Sequence, residues 1–138
     1  MIIALNWALA GPWQAHVHSL ALTEHYQHPI DNDCAAGLCR FGDNDGGRAF
    51  GILQMHMPYL QEWYKLDGPY RAAVGDTVPD AQIKAAAAFL TVEVSHIGLD
   101  LAIQSQNLGV AAVLAGQRNA EYLSRWSSSF QRLRGGVS

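Results

Sequence analysis

From Trp13 to Gln27 the apolar positions Trp13, Val17, Leu20 and Ala21 recur three or four residues apart, the spacing that lays one stripe of a helix on a core. Pro12 suits the first turn of that helix, and Pro29 stops it. Continuing the stripe by one step reaches Glu24, so a carboxylate stands where the pattern calls for another aliphatic residue. The segment Ile30 to Gly47 is rich in Asp, Asn, Gly and Cys and predicts an irregular loop or a short hairpin. Beyond it, Phe50, Leu53, Met57, Leu60 and Tyr64 follow helical spacing after a break at Gly51, with Pro58 marking a kink or a new first turn.

A second loop, "DGPYRAAVGDTVPD", leads to the longest predicted helix, "PDAQIKAAAAFLTVEVSHIGLDLAIQSQ", with Asp76, Thr77 and Pro79 as start signals. It is apolar around much of its circumference, which predicts a central position. "NLGVAAVLAG" and "QRNAEYLSRWSSSFQRLR" predict two further helices divided at Gly116, followed by a frayed end at 135–138. No repeat, low-complexity tract or linker divides the chain. The expectation is one domain over 1–138, with 1–12 an N-terminal helix or extension.

A length of 138 residues with 49% hydrophobic content is enough for a core of its own. The net charge of −3 and the thin spread of nine Lys and Arg argue against a nucleic-acid ligand. The apolar start "MIIALNWALAGPW" lacks a basic region and a small-residue cleavage site, and it is too short to span a bilayer. It reads as a packed helix rather than an export signal, and neither membrane insertion nor an obligate oligomer is expected. Cys34 and Cys39 permit either a small disulfide loop or two free thiols. Their spacing, even with His25 and His28 upstream, does not match common zinc sites, and no metal or other cofactor is expected. His16 and His18, two apart, fall on different faces of a helix and read as surface or partly buried imidazoles.

"LALTEHYQ", "FGDNDGGRA" and "FGILQM", taken in that order and spacing, resemble the lysozyme-like superfamily, with the soluble lytic transglycosylases and goose-type lysozymes as the nearest groups. In those families a Glu ends a helix, a polar turn follows, and a "GLMQ"-like block comes next. The segment "VAAVLAGQRNAEYLSRWSSSFQRL" is similar to their "VAAYNAG…YV" region, with Val113 and Leu114 standing at the Tyr and Asn, so the resemblance spans residues 13 to about 134. It implies a mainly α fold of the α+β lysozyme-like kind, a helical domain with a small β-hairpin or loop beside an active-site cleft.

The resemblance also implies a function: a peptidoglycan-cleaving muramidase acting on the β-1,4 MurNAc–GlcNAc bond, or a lytic transglycosylase leaving 1,6-anhydro ends, or a wall-binding module of the same fold that has lost the chemistry. Glycan strands are the implied partner, and the cell wall or periplasm the implied place of action, reached by phage release, in a virion or by another secretion route. Glycosidic cleavage requires a carboxylic acid that keeps its proton near neutrality. Glu24 fills that role, its pKa raised by an apolar setting expected among Trp13, Leu20 and Phe50. Asp43 aligns with the acid that positions water in goose-type lysozymes, and Asp45 is its near substitute. Gln54 either faces the sugar or satisfies a backbone group near a helix start. Tyr122, matching the family's "YV", is placed at the cleft.

Overall fold

The computed structural model describes residues 5–41, 46–64 and 76–135. A 3-10 segment, Trp7–Trp13, leads into α1 (Gln14–Glu24); α2 (Asn32–Ala35) and α3 (Met57–Trp63) are short; α4 (Val78–Ile97), α5 (Leu99–Leu108), α6 (Val110–Leu114) and α7 (Ala120–Gly135) complete the order. Among the described residues no helix is long and apolar enough to cross a membrane.

The expected α+β character with a β-hairpin is overturned. Among the described residues there is no β-strand, only an isolated antiparallel bridge between Phe50 and Met55. The hairpin is expected in the segment from Ile30 to Gly47, of which residues 42–45 lie outside the described ones; its first part forms α2 instead, capped by Asp31 accepting from the Cys34 N–H (2.9 Å). The bridge lies further on, where Phe50 and Met55 exchange both backbone hydrogen bonds (3.1 and 3.0 Å), so the chain reverses within four residues. The flanking residues continue into other contacts rather than a ladder. Ile52 and Leu53, carried by the reversal, are buried. Helical spacing across 50–57 therefore reports a buried turn followed by a helix, and α3 starts at Met57 with Pro58 in its first turn.

α4 is central, as its composition predicts. Thr77 caps it by accepting a hydrogen bond from the Asp80 N–H (3.3 Å), and Ala81, Ile83, Ala85, Ala86, Phe89 and Leu90 are buried. The predicted single helix from Pro79 to Gln106 is two helices. Gly98 takes φ 86° and ψ 164°, a conformation that ends α4 and starts α5, and only glycine adopts it without strain. A second glycine, Gly109, separates α5 from α6 in the same way. α1 lies against α7 and the 3-10 segment, which also meets α4, while α5 contacts α4 and α7. His16 and His18 take part in this packing. His18 stacks on Trp7 at 4.3 Å, His16 lies 4.6 Å from Phe130, and the Trp126 indole donates to the His16 carbonyl at 3.1 Å. Burial lowers the pKa of both imidazoles, favouring neutral rings in these aromatic contacts.

Candidate active-site cleft

Glu24 ends α1, and its carboxyl forms part of a cleft of about 720 Å³. The walls come from separate parts of the chain: Phe41, the turn at Leu53 to His56, Tyr59 of α3, and Gln106 and Asn107 at the end of α5. Glu24 is largely buried yet lines the cleft. Tyr122 in the first turn of α7 is buried, and its hydroxyl donates to Glu24 Oε2 at 2.6 Å. Burial pushes the Glu24 pKa up to about 7, and the Tyr122 hydrogen bond, which favours the carboxylate, pulls the other way. Burial and the neighbouring Glu24 hold the Tyr122 pKa well above its ordinary value, so the hydroxyl keeps its proton and remains the donor.

Of the residues expected to give Glu24 an apolar setting, neither Leu20 nor Phe50 lines the cleft, and Trp13 is remote from it. Trp13 stands at the opposite end of α1, its indole donating to Thr91 at 2.9 Å. Glu24 lies eleven positions further along the chain, about 16.5 Å at 1.5 Å per residue. The groups around the acid come instead from α7, α3 and the 50–55 turn.

That turn is held by a buried amide of α4. Gln82 Nε2 donates to the Phe50 carbonyl (2.9 Å), and its Oε1 accepts from the Leu53 N–H (3.0 Å). Gly51 packs directly on this amide: a Cβ there would lie 2.3 Å from Gln82 Nε2, and its φ is 82°. Gln54, itself at φ 47°, lines the cleft while its amide bonds to backbone, donating to the carbonyls of Gly51 (2.8 Å) and Cys39 (3.1 Å) and accepting from the Phe41 N–H (3.4 Å). Its side chain thus ties the 39–41 segment to the turn and is largely committed to that tie.

Cys34 and Cys39 are joined by a disulfide. His25 Nε2 lies 3.3 Å from Cys34 Sγ, and the ring meets Phe41 edge-on at 4.8 Å. His25, Cys34 and Cys39 are the one group of potential metal donors found together among the described residues. With both sulfurs in the disulfide, the thiolates that a metal needs are not formed.

Glu24 and Gln54, separated in the sequence, line one cleft, whereas the buried Tyr122, expected at the cleft, is not among its lining residues and reaches it only through the hydrogen bond to Glu24. Asp43 and Asp45 lie outside the described residues, and Glu24 is the only carboxylate among the described residues lining the cleft. Val113 is buried and Leu114 is 68% exposed, and neither lines the cleft. The polar wall opposite is built by Gln106 and Asn107, which sequence reasoning missed. The signal was present as the run Ser105, Gln106, Asn107 interrupting an apolar helix just before a glycine. Tyr59, whose hydroxyl accepts from Gln106 Nε2 at 2.8 Å, completes that wall.

No protein-family model, curated protein or solved structure matches this chain. The labels that the resemblance suggested (lysozyme, glycosidase, hydrolase, endolysin, lytic transglycosylase, antimicrobial or bacteriolytic cell-wall-degrading protein) are therefore not upheld. No match supports them, and the described residues lack the β-sheet element of that family.

Proposed function

We propose that this chain cleaves the β-1,4 bonds of an aminosugar strand by general-acid catalysis, with Glu24 as the acid and peptidoglycan glycan as the substrate. The observation that carries the reading is the 2.6 Å hydrogen bond from the buried Tyr122 hydroxyl to Glu24 at the wall of an open cleft. It holds one carboxyl oxygen and leaves the other to carry a proton toward the glycosidic oxygen. Departure of the protonated leaving group generates an oxocarbenium-like centre at the anomeric carbon.

Two routes complete the reaction. In one, Asp43 orients a water that attacks from the opposite face, a geometry requiring carboxyls about 6.5–9.5 Å apart. In the other, a hydroxyl of the same sugar closes on the anomeric carbon while Glu24 takes back a proton, giving an anhydro end. Clearing of purified cell walls, followed by mass spectrometry of the released fragments, tests both the activity and the route, because the two products differ by one water. Walls bound but left intact by the pure protein would replace catalysis with strand binding.

A further inference from the structure

We infer that Asn119 is a positioning residue for the Glu24 carboxyl, acting through Tyr122. The inference rests on Glu24 being the reactive group. α7 begins at Ala120, so Asn119 stands at its N-cap, where a side-chain oxygen satisfies one of the helix's unpaired N–H groups. The N–H it satisfies belongs to Tyr122: Asn119 Oδ1 accepts from Tyr122 N at 3.0 Å. The cap is itself fastened to α5 twice. Its N–H donates to Oε1 of the buried Gln104 at 2.8 Å, and its Nδ2 donates to Oδ1 of the cleft-lining Asn107 at 2.7 Å. One side chain thus links the cleft wall of α5 to the turn of α7 that carries the hydroxyl partner of Glu24.

The link matters because tyrosine is rigid. With two side-chain torsions, the position of its hydroxyl follows closely from the position of its backbone. Tyr122 lies in the first turn, the part of a helix that frays when a cap is lost. A displacement of about 1 Å there takes a 2.6 Å hydrogen bond outside bonding range. A cap serving only helix stability has no reason to be tied to both Gln104 and the cleft residue Asn107. Thr77 provides the comparison, capping α4 through Asp80.

The test measures the titration of Glu24 in the whole protein from the chemical shift of its labelled carboxyl carbon, which requires no substrate. The titratable groups around the carboxyl are Tyr122 from α7, Tyr59 from α3, and Tyr26, His28 and His56 along the cleft; all variants except Tyr122→Phe retain them. Asn119→Ala is expected to move the Glu24 midpoint upward, in the direction of Tyr122→Phe, because both remove a donor to the carboxylate. Asn119→Ser, which keeps an acceptor at the cap but loses the amide donor to Asn107, is expected to bring the midpoint back toward the wild-type value. Thr77→Ala is expected to lower the melting temperature while leaving the midpoint in place. Gln104→Met removes the acceptor for the Asn119 N–H, together with the 3.4 Å donation from Gln104 Nε2 to the Asp100 carbonyl within α5, and serves if Asn119→Ala does not fold; it is expected to give a smaller upward shift. A wild-type midpoint in folded Asn119→Ala, or in Gln104→Met where that variant is the one that folds, alongside a shifted Tyr122→Phe, overturns the inference. Absence of glycan cleavage by the wild type removes the functional reading but leaves this comparison decisive for the network.

Discussion

The Tyr122 hydroxyl donates to Glu24 Oε2 at 2.6 Å across a separation of 98 residues, joining the first turn of α7 to the last residue of α1. Burial is the larger influence and raises the pKa of the acid to about 7, while this contact, which favours the carboxylate, opposes it.

Glu24→Gln is expected to lower glycan cleavage by ~10²-fold or more, the usual contribution of a general acid, while retaining the helical circular dichroism of the wild type. Cleavage at the wild-type rate would remove Glu24 from the mechanism.

The same variant has a pH signature in stability. The Glu24 pKa is raised from 4.5 in the unfolded chain to about 7 in the fold, so the folded state binds the proton more tightly. The contribution is fully present below pH 4.5 and is lost as pH rises through about 7. At ~1.4 kcal/mol per unit this reaches up to about 3 kcal/mol. Glu24→Gln, which cannot ionise, is therefore expected to gain on the wild type between pH 4 and pH 8 in denaturant titrations. A constant difference across that range would show that Glu24 titrates normally.

Tyr122→Phe removes the hydroxyl that favours the carboxylate, so the alkaline limb of the activity profile should move to higher pH. Activity itself should fall, because the acid loses its fixed orientation. The pH dependence of kcat/KM measures both effects, and an unmoved limb would mean that the hydrogen bond does not bias the acid.

Gly51→Ala is expected to destabilise the fold by ~2 kcal/mol or more, because the new methyl group meets the Gln82 amide and the φ of 82° strains any other residue. Urea midpoints compare it with Gly46→Ala, where a Cβ meets nothing within 4 Å although φ is also positive. Equal losses at both positions would assign the effect to backbone strain alone.

Reduction of the Cys34–Cys39 disulfide opens a short ring, worth about 2 kcal/mol on loop-closure grounds. A lowered melting temperature with cleavage retained is expected, since Gln54 continues to hold the 39–41 segment by its amide. Complete loss of cleavage on reduction would make the disulfide the main organiser of that cleft wall.

Local pattern alone was sufficient for α1, for the start of α4 and for the odd placement of Glu24, because a 3.6-residue period and a capping Thr are properties of neighbouring residues. Cys34 and Cys39 were near enough in sequence for a ring to be foreseen as one of two outcomes. The separation of α4 from α5 was not legible, since a lone glycine is tolerated inside many helices, and only packing on both sides of Gly98 selects its positive φ. The 50–55 turn was hidden for a related reason: its apolar spacing is helical, but the buried Gln82 amide, some thirty residues away, supplies the hydrogen bonds that make a reversal the better solution. The cleft was decided at the same level. Sequence order marked Glu24 and Tyr122 through a family pattern, whereas Gln106, Asn107 and the cap at Asn119 acquire their meaning only when α5 and α7 converge on the end of α1. Periodicity records which face of an element is buried; which element meets that face depends on long-range hydrogen bonds and close packing that no local window contains.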